Sequence, residues 1–440
     1  MRYLRFRCQD QYNCPTVVID SPSKFHLTQI IKGDGGILEL GLIPIYEMGW
    51  LKKQRSPSPA QGVSPPPLKR RRLSSSDHRS ASLLPSPSPI LFQSDTTFAT
   101  IKTLRIYSWN VNGIHPFLPP TTPPITNFLA SSCTPKPPPS QPSLRANLHR
   151  WQWPHVLFLQ EVKIAPKDTK TPDLLRRAIN TPRDAVDEPI FKSQLYDAHF
   201  CLPRSRYNAT GFGGKVYGVC TLVRQDIAPD ANVKTVEWDL EGRVQVTELP
   251  SLGLIVFNIY AVNGTTNDYR DPDTGNVVGT RHDRKRAFHS LLANEVRAYE
   301  EKGWHVIIAG DINISRAPID SFPQLQMGSE HAAIRADFEQ KFINGLGMLD
   351  TFRLLHGEKR KYSYRPRTKP WGAGGDRVDM ILATKGLKEA VKEADVLDGE
   401  AERGPSDHVP LFTAFEISQR RNEEERVEAA MPTVRDDSKT

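Results

Sequence analysis

The chain has 440 residues, 58 Lys and Arg against 50 Asp and Glu, and a formal net charge of +8. Hydrophobic residues make up 38% and aromatics 8%, enough for a sizeable core in part of the chain but low for a core along all of it. No apolar run approaches the ~20 residues needed to cross a bilayer, and the basic opening MRYLRFRCQD leads into no apolar segment, so neither a membrane span nor a signal peptide is expected.

Residues 1–100 hold 13 Lys and Arg and 7 Asp and Glu, so most of the positive excess lies there and does not by itself mark the folded part as a nucleic-acid binder. Residues 1–47 carry little pattern beyond short strands at Ile37–Leu42 and Ile43–Tyr46, and they read as a dispensable extension before Met48. Residues 51–97 are rich in Ser, Pro, Lys and Arg. Within them Lys69, Arg70, Arg71 and Arg72 form a compact basic run. Consecutive accessible cations of this kind are expected to act as a nuclear import signal, the alternative being a solvated linker. Phosphorylation of the flanking serines would oppose that charge.

Order is expected from Thr103, where TLRIYSWN alternates apolar and polar residues as a half-buried strand does. Ten prolines between Pro116 and Pro142 then mark a long loop or insertion. SLRANLHRWQ reads as a short amphipathic helix and HVLFLQE as a buried strand ending in a carboxylate. Further strands are predicted at YGVCTLVR, GRVQVTEL, LGLIVFNIYAV, WHVIIAGDI, DRVDMILAT and HVPLFTAFE, with helices at Arg281–Glu301 and Glu330–Leu346. Strands and helices in this spacing predict a mixed α/β layered fold and not a run of βαβ units. The residues from about Ser418 are charged and are expected to be disordered. The five cysteines are odd in number and no pair has CxxC spacing, so neither a disulfide framework nor a zinc site is expected. Cys220, in YGVCTLV, reads as a small buried hydrophobe.

Several apolar strands end abruptly in polar residues. Asn110 and Asn112 end one, Glu161 another, Asp311 and Asn313 a third. Asp379 lies inside an apolar run, and Asp407 and His408 stand just before one. A buried carboxylate costs several kcal/mol unless it is paired or binds a metal, so this many strand ends point to one shared polar site. Carboxylates, amide oxygens and one His suit magnesium, which takes one or two carboxylates and leaves positions for water and phosphate. An imidazole held by an acid beside such an ion is the chemistry of metal-assisted phosphodiester hydrolysis.

In order and context, SWNVNG, FLQEVK, EGRVQV, IYAVNG, AGDINIS, GDRVDMIL and GPSDHVP resemble the endonuclease/exonuclease/phosphatase superfamily, and within it the exonuclease III-type apurinic/apyrimidinic endonucleases. The resemblance runs from about Thr103 to Glu416. It implies an α/β (α+β) fold of the deoxyribonuclease I type, a four-layer sandwich of two mixed β-sheets flanked by helices. It implies a catalytic domain over 100–417, between a mostly disordered basic arm (1–99) and a disordered tail (418–440). By the same likeness Glu161, Asn112 and Asp407 are metal-binding or metal-proximal, and the ion is Mg2+ or Mn2+. Asp311 would activate or position the attacking water, His408 would stabilise the phosphate, and Asp379 would orient His408. Tyr260 and Asn313 would contact the phosphate, Asn110 would organise the site, and Asn263 would bind substrate. The implied reaction is cleavage of DNA 5′ to an abasic site in base excision repair, with 3′-end trimming, by a nuclear, monomeric enzyme whose partner is damaged duplex.

The sequence departs from that pattern in KYSYRPRTKPWGAGGDRVD. Pro366 and Arg367 stand where bulky aromatics would wall a pocket for the base-less sugar, with Tyr362, Tyr364 and Trp371 left nearby. Trp371 is therefore expected to substitute in that pocket and to relax the preference for abasic DNA. Asp350 in LDTFR is expected to cap locally, Lys163 to be a solvent-exposed Lys, and Gly211–Gly214 to form a hairpin. The rival readings are a superfamily member acting on RNA ends or a phosphomonoester, a retroelement endonuclease domain, and an inactive DNA-binding scaffold.

Overall fold

The structure is a computed structural model, and it describes residues 102–119, 142–182, 194–209 and 217–417, together with six short strands between residues 2 and 44. The basic run at 69–72, most of the proline-rich stretch, Gly211–Gly214, the tail from 418, and Cys8, Cys14 and Cys133 lie outside the described residues. The chain divides into two units, Met1–Pro89 and Ile90–Thr440.

In the first unit, Arg2–Arg5, Thr16–Ser21, Lys24–Thr28 and Ile43–Pro44 pair in that order as an antiparallel sheet, and Ile30–Gly33 pairs with Gly36–Glu39. The sequence suggested strands only around 37–46. The overlooked signal is the β-branched run at the start of Thr16–Ser21, TVVIDS.

The second unit opens with β1 (Thr103–Asn110), β2 (Val156–Gln160), β3 (Tyr196–Cys201) and β4 (Val219–Arg224). It continues with β5 (Asn232–Thr235), β6 (Val244–Leu249), β7 (Leu254–Tyr260), β8 (His305–Asp311), β9 (Leu349–Asp350) and β10 (Asp379–Ala383). It closes with β11 (Val391–Val396) and β12 (Leu411–Glu416). These strands form two six-stranded sheets, ordered β11-β12-β1-β2-β4-β3 and β5-β6-β7-β8-β10-β9. Each sheet is mixed, because β1 runs parallel to β2 and β7 parallel to β8, while their other pairings are antiparallel. The expected fold class is the observed one.

Side chains on a strand point alternately to its two faces, and that alternation builds the layers. Leu104, Ile106, Val156 and Phe158 of the first sheet meet Leu254, Val256, Ile307, Ala309 and Ile381 of the second in one buried core. The opposite faces pack on helices. Tyr107, Trp109, Leu157 and Leu159 lie under α1 (Leu144–Arg150) and α2 (Lys170–Asn180). Ile255, Phe257, Val306 and Ile308 lie under α3 (Arg281–Glu300) and α4 (Ser329–Phe338), the latter continuing as a π-helical segment to Gly345. Burying each such Leu, Ile or Phe contributes about 1.5–3 kcal/mol relative to exposure. Among the described residues no helix is long and apolar enough to cross a membrane.

The long α3 starts where Thr280 and Asp283 cap each other reciprocally. The sequence reading missed α2, whose Pro172 looks like a breaker. Proline is tolerated in a first helical turn, and Asp168 accepts hydrogen bonds from the Lys170 and Thr171 amides, each at 3.0 Å. Asp350 caps α5 (Thr351–His356) through the Arg353 amide at 3.2 Å, as expected. Cys201 and Cys220 are buried free thiols.

Candidate active site

The alternation that builds the inter-sheet core also turns it polar at one end. Beyond Ile106, Phe158, Val256 and Ala309, the next inward positions are Ser108, Gln160, Asn258 and Asp311. Gln160 donates to Asn258 at 2.8 Å and to Ser108 at 3.1 Å, and Asn258 donates to the Cys220 carbonyl at 3.0 Å. This satisfied polar layer is the floor of the site. Above it, register places Tyr260, Asp311 and Asp379 side by side on β7, β8 and β10. Close approach of β7 and β8 requires glycine at 310, where a Cβ would stand 1.9 Å from the Ile259 carbonyl oxygen.

Each strand end then bends sharply. Asn112, Glu161, Lys163 and Asn313 all adopt left-handed backbone, with φ of 51°, 51°, 54° and 54°. That conformation costs a non-glycine residue roughly 1–2 kcal/mol, and such strain is characteristic of functional sites. Here it turns half-buried side chains onto the rim of a cleft whose floor is the buried Asn110, Asp311, Asp379 and His408.

One hydrogen-bond network joins floor and rim. Asn110 Nδ2 donates to Glu161 Oε1 at 3.1 Å and to Asp311 Oδ2 at 3.0 Å, while its Oδ1 accepts from the Asn112 amide at 3.0 Å. Asn112 Nδ2 donates to Asp407 Oδ1 at 2.8 Å. Lys163 Nζ lies 2.9 Å from Glu161 Oε2 and also donates to Asn112 Oδ1. The Asn313 amide donates to Asp311 Oδ1 at 2.8 Å, and its side chain donates to the Ala261 carbonyl at 3.0 Å. Asp379 Oδ2 and His408 Nδ1 are 2.7 Å apart, and His408 Nε2 lies 4.0 Å from Asp311 Oδ2. Ser406 Oγ donates to the Asn110 carbonyl at 2.6 Å and accepts from the His408 amide at 3.0 Å, tying the last loop to β1.

Burial, reinforced by Asp379 and Glu161, raises the Asp311 carboxyl to about 7. Burial lowers His408, but Asp379 and then Asp311 and Asp407 outweigh it, and the imidazole is raised to about 10. Burial would raise Glu161, yet Lys163 and the Asn110 hydrogen bond hold it below the usual carboxylate range. Burial and the neighbouring Glu161 push the Tyr260 hydroxyl well above its ordinary value despite Arg243, so it stays a neutral phenol.

Two adjoining cavities of about 380 and 460 Å³ share Glu161, Tyr260, Asn263 and Asp407 in their walls. The first also holds Asp311, Asn313, Tyr364 and His408, and the second Asn112 and Lys163. Ten of the eleven expected site residues thus converge here, Asn110 and Asp379 in the hydrogen-bonded floor and the rest on the walls. Trp371 does not line either cavity. Its ring lies between two guanidinium groups, with Arg365 at 4.5 Å and Arg403 at 5.1 Å from the ring centroid. Arg367 is no pocket wall either, because it donates to the Ser406 carbonyl at 2.9 Å and to the Gly404 carbonyl. The aromatic residue of this loop that does face the centre is Tyr364, its ring centroid 5.1 Å from that of His408. Lys163 is not a merely exposed Lys. A Lys two residues beyond a strand-end carboxylate was the available signal, and the left-handed turn that folds it back was not. Lys285 on α3 was missed as well, since nothing in a charged helical run marks one Lys as buried.

Two donor sets could hold a cation. Ligand atoms of Asp311, Asp379 and His408 all lie within 4.8 Å of one another, and Asp379 Oδ1 is buried without a hydrogen-bond partner. On the rim, oxygens of Glu161 and Asn112 already converge on the Lys163 ammonium, with Asp407 bonded to Asn112. Hard oxygen donors beside open cleft are what magnesium takes.

The chain is similar to several known proteins. DNA-(apurinic or apyrimidinic site) endonuclease 2 of Schizosaccharomyces pombe is 24% identical over 352 residues, covering 70% of this chain and 57% of that protein. The Mus musculus protein of the same name is 24% identical over 361 residues, 72% of this chain and 60% of its own. The chain therefore spans less than two thirds of these relatives. The crystal structure of the Xenopus laevis APE2 catalytic domain superposes with a TM-score of 0.47 at 20% identity, over 72% of this chain and 94% of that one. The Endonuclease/Exonuclease/phosphatase family profile matches residues 107–408, a span running from β1 to His408, and by that match the chain belongs to this family of hydrolytic enzymes.

Proposed function

We propose that the chain is a divalent-metal-dependent DNA phosphodiesterase that cleaves 5′ to abasic sites and also trims 3′ ends. The observation that carries the reading is the convergence of Asp311, the His408–Asp379 pair and Glu161 on one 380 Å³ cavity. The relatives' name supports DNA as the substrate. Residues 100–417 would be the catalytic domain. An inactive scaffold would have no use for a buried imidazole paired with one carboxylate beside another.

In this reading Glu161, Asn112 and Asp407 hold Mg2+ or Mn2+. Held there, it would supply Lewis-acid stabilisation of the charge on the phosphoryl and leaving oxygens. The protein's own groups do the rest. Asp311, held by Asn110 and the Asn313 amide, has a carboxyl near neutral pKa, suited to take a proton from water as its oxygen attacks phosphorus. As the new P–O bond forms, the bond to the 3′ oxygen breaks, and that oxygen leaves with the electron pair and takes a proton from solvent to become the 3′ hydroxyl. The His408 imidazolium, fixed through Nδ1 by Asp379, presents Nε2 to a phosphoryl oxygen and stabilises the added charge. The neutral Tyr260 phenol and the Asn263 amide donate hydrogen bonds to the same phosphate.

Purified protein incubated with abasic duplex, intact duplex and labelled RNA, with and without Mg2+, tests this. Incision of abasic duplex only with the metal is expected, and preferential RNA cleavage would replace the reading. The run Lys69–Arg72 is proposed to direct the chain to the nucleus, and unchanged nuclear fluorescence of a tagged variant with four alanines there would refute that.

A further inference from the structure

α3 and α4 contribute Lys285, His331 and Arg335 to the wall of the first cavity, a basic lobe in which Lys285 is close enough to feel the Asp311 charge. Almost every other basic group around the cleft is neutralised. Lys163 is paired with Glu161, and Arg243, Arg281 and Arg284 all converge on Glu241 at 2.6–3.2 Å. Among the described residues, Lys285, His331 and Arg335 have no carboxylate partner. Arg335 donates to the Gln326 carbonyl at 2.7 Å. Lys285 is 2% exposed, and its Nζ donates to the Asn313 carbonyl at 2.7 Å. Burial lowers its pKa to about 7 although Asp311 opposes the shift, and in its charged form the group has two N–H donors besides the one given to Asn313.

Behind them stands His282, one turn before Lys285 on α3. It is 6% exposed, its Nδ1 has no hydrogen-bond partner, and its ring meets His331 edge-on at 5.6 Å. Gly264, also in the cavity wall, is what leaves that nitrogen room, since a Cβ there would lie 2.7 Å from it. Lys285, His282 and Arg335 each add to the burial that disfavours charge on His331. Bases concentrated in one concavity disfavour one another's charged forms, and an anion entering it would restore them.

We propose that this lobe is an anion subsite that seats a second phosphate of the substrate strand, distinct from the phosphate being cleaved at Asp311 and His408. The inference deepens the DNA phosphodiesterase reading and rests on it for the identity of the ligand. Because Lys285 grips the carbonyl of Asn313, two residues from Asp311, occupancy of the lobe also braces the turn that carries the attacking-water residue. Specificity follows: the lobe selects strands that carry a phosphate at a set distance from the scissile one.

Two measurements test it. Imidazole proton resonances of His282 and His331 are followed while inorganic phosphate is titrated into the full chain, and saturable shifts are expected that weaken in Arg335→Gln. KM is then measured on duplexes bearing a single uncharged methylphosphonate at successive positions, and on ends with and without a 3′-phosphate. One position should raise KM roughly tenfold in the wild type, the worth of one charge-assisted contact, and have little effect in Arg335→Gln or His331→Gln. If that position is the terminal phosphate, the subsite reads ends; if internal, it reads the strand. Equal, additive losses at every position, together with no saturable shift, would overturn the subsite. If the wild type cleaves no DNA, the functional reading fails, and the phosphate titration alone decides the lobe.

Discussion

His408 Nδ1 and Asp379 Oδ2 are 2.7 Å apart, although 29 positions separate the residues, Asp379 opening β10 of one sheet and His408 standing in the loop just before β12 of the other. Both are buried, at 5% and 0% exposure. Loss of His408 removes the charge offered to the phosphoryl oxygen, so His408→Ala should lower kcat by roughly 10²–10⁴-fold. Asp379→Asn should be milder, because the amide oxygen can still accept from Nδ1 while the charge is gone. Steady-state kinetics on abasic duplex check both, and a wild-type rate for His408→Ala would move the chemistry elsewhere.

Glu161 is the rim carboxylate held ionised by Lys163 and Asn110. Glu161→Gln keeps the shape and loses the charge. The Mg2+ concentration for half-maximal activity should rise by at least about tenfold, since a lost charge-assisted contact is worth about 1.4 kcal/mol or more. A metal titration monitored by cleavage reads this directly. Full wild-type activity in excess EDTA would remove the metal from the scheme.

Tyr364 faces His408, whereas Trp371 is held between Arg365 and Arg403. An abasic sugar needs an apolar wall at the centre. Tyr364→Ala should therefore reduce the ratio of kcat/KM on abasic duplex to that on a 3′-blocked end. Trp371→Ala should leave that ratio near wild type and instead lower Tm, because two stacked cations lose their partner. The opposite pattern would return Trp371 to the pocket.

Acid should begin to destabilise the fold above the ordinary carboxylate range. Burial first, and Arg224 second, depress the His155 imidazole to about 3, and its Nδ1 accepts from the Arg105 amide at 3.1 Å. Burial likewise lowers His289 to about 4. A base whose folded pKa is depressed contributes stability that is present above its unfolded value, about 6.5, and is lost as pH falls toward the folded one. Each imidazole should then remove about 1.4 kcal/mol per pH unit below that value. Denaturant unfolding from pH 7 to pH 4 checks the slope, and His155→Asn should flatten it.

The strands TLRIYSWN, HVLFLQE and WHVIIAGDI were legible as strands because period-2 alternation and β-branched runs are local properties. The same alternation foretold that Asn110, Glu161 and Asp311 would sit where apolar faces end. Short-range chemistry of this kind determined the sheets, the helices α3 and α4 and the types of group at the site. What only the tertiary structure decided is which groups meet. Trp371 and Tyr364 are seven positions apart in one loop, and no local rule distinguishes the ring that packs between Arg365 and Arg403 from the ring that reaches His408. Lys163 and Lys285 read as ordinary surface charges until a left-handed turn folds one back and helix packing buries the other. Propensity and pattern act through neighbours in sequence, while burial and pairing join elements as many as 295 positions apart, and a side chain's role at this site follows from the second.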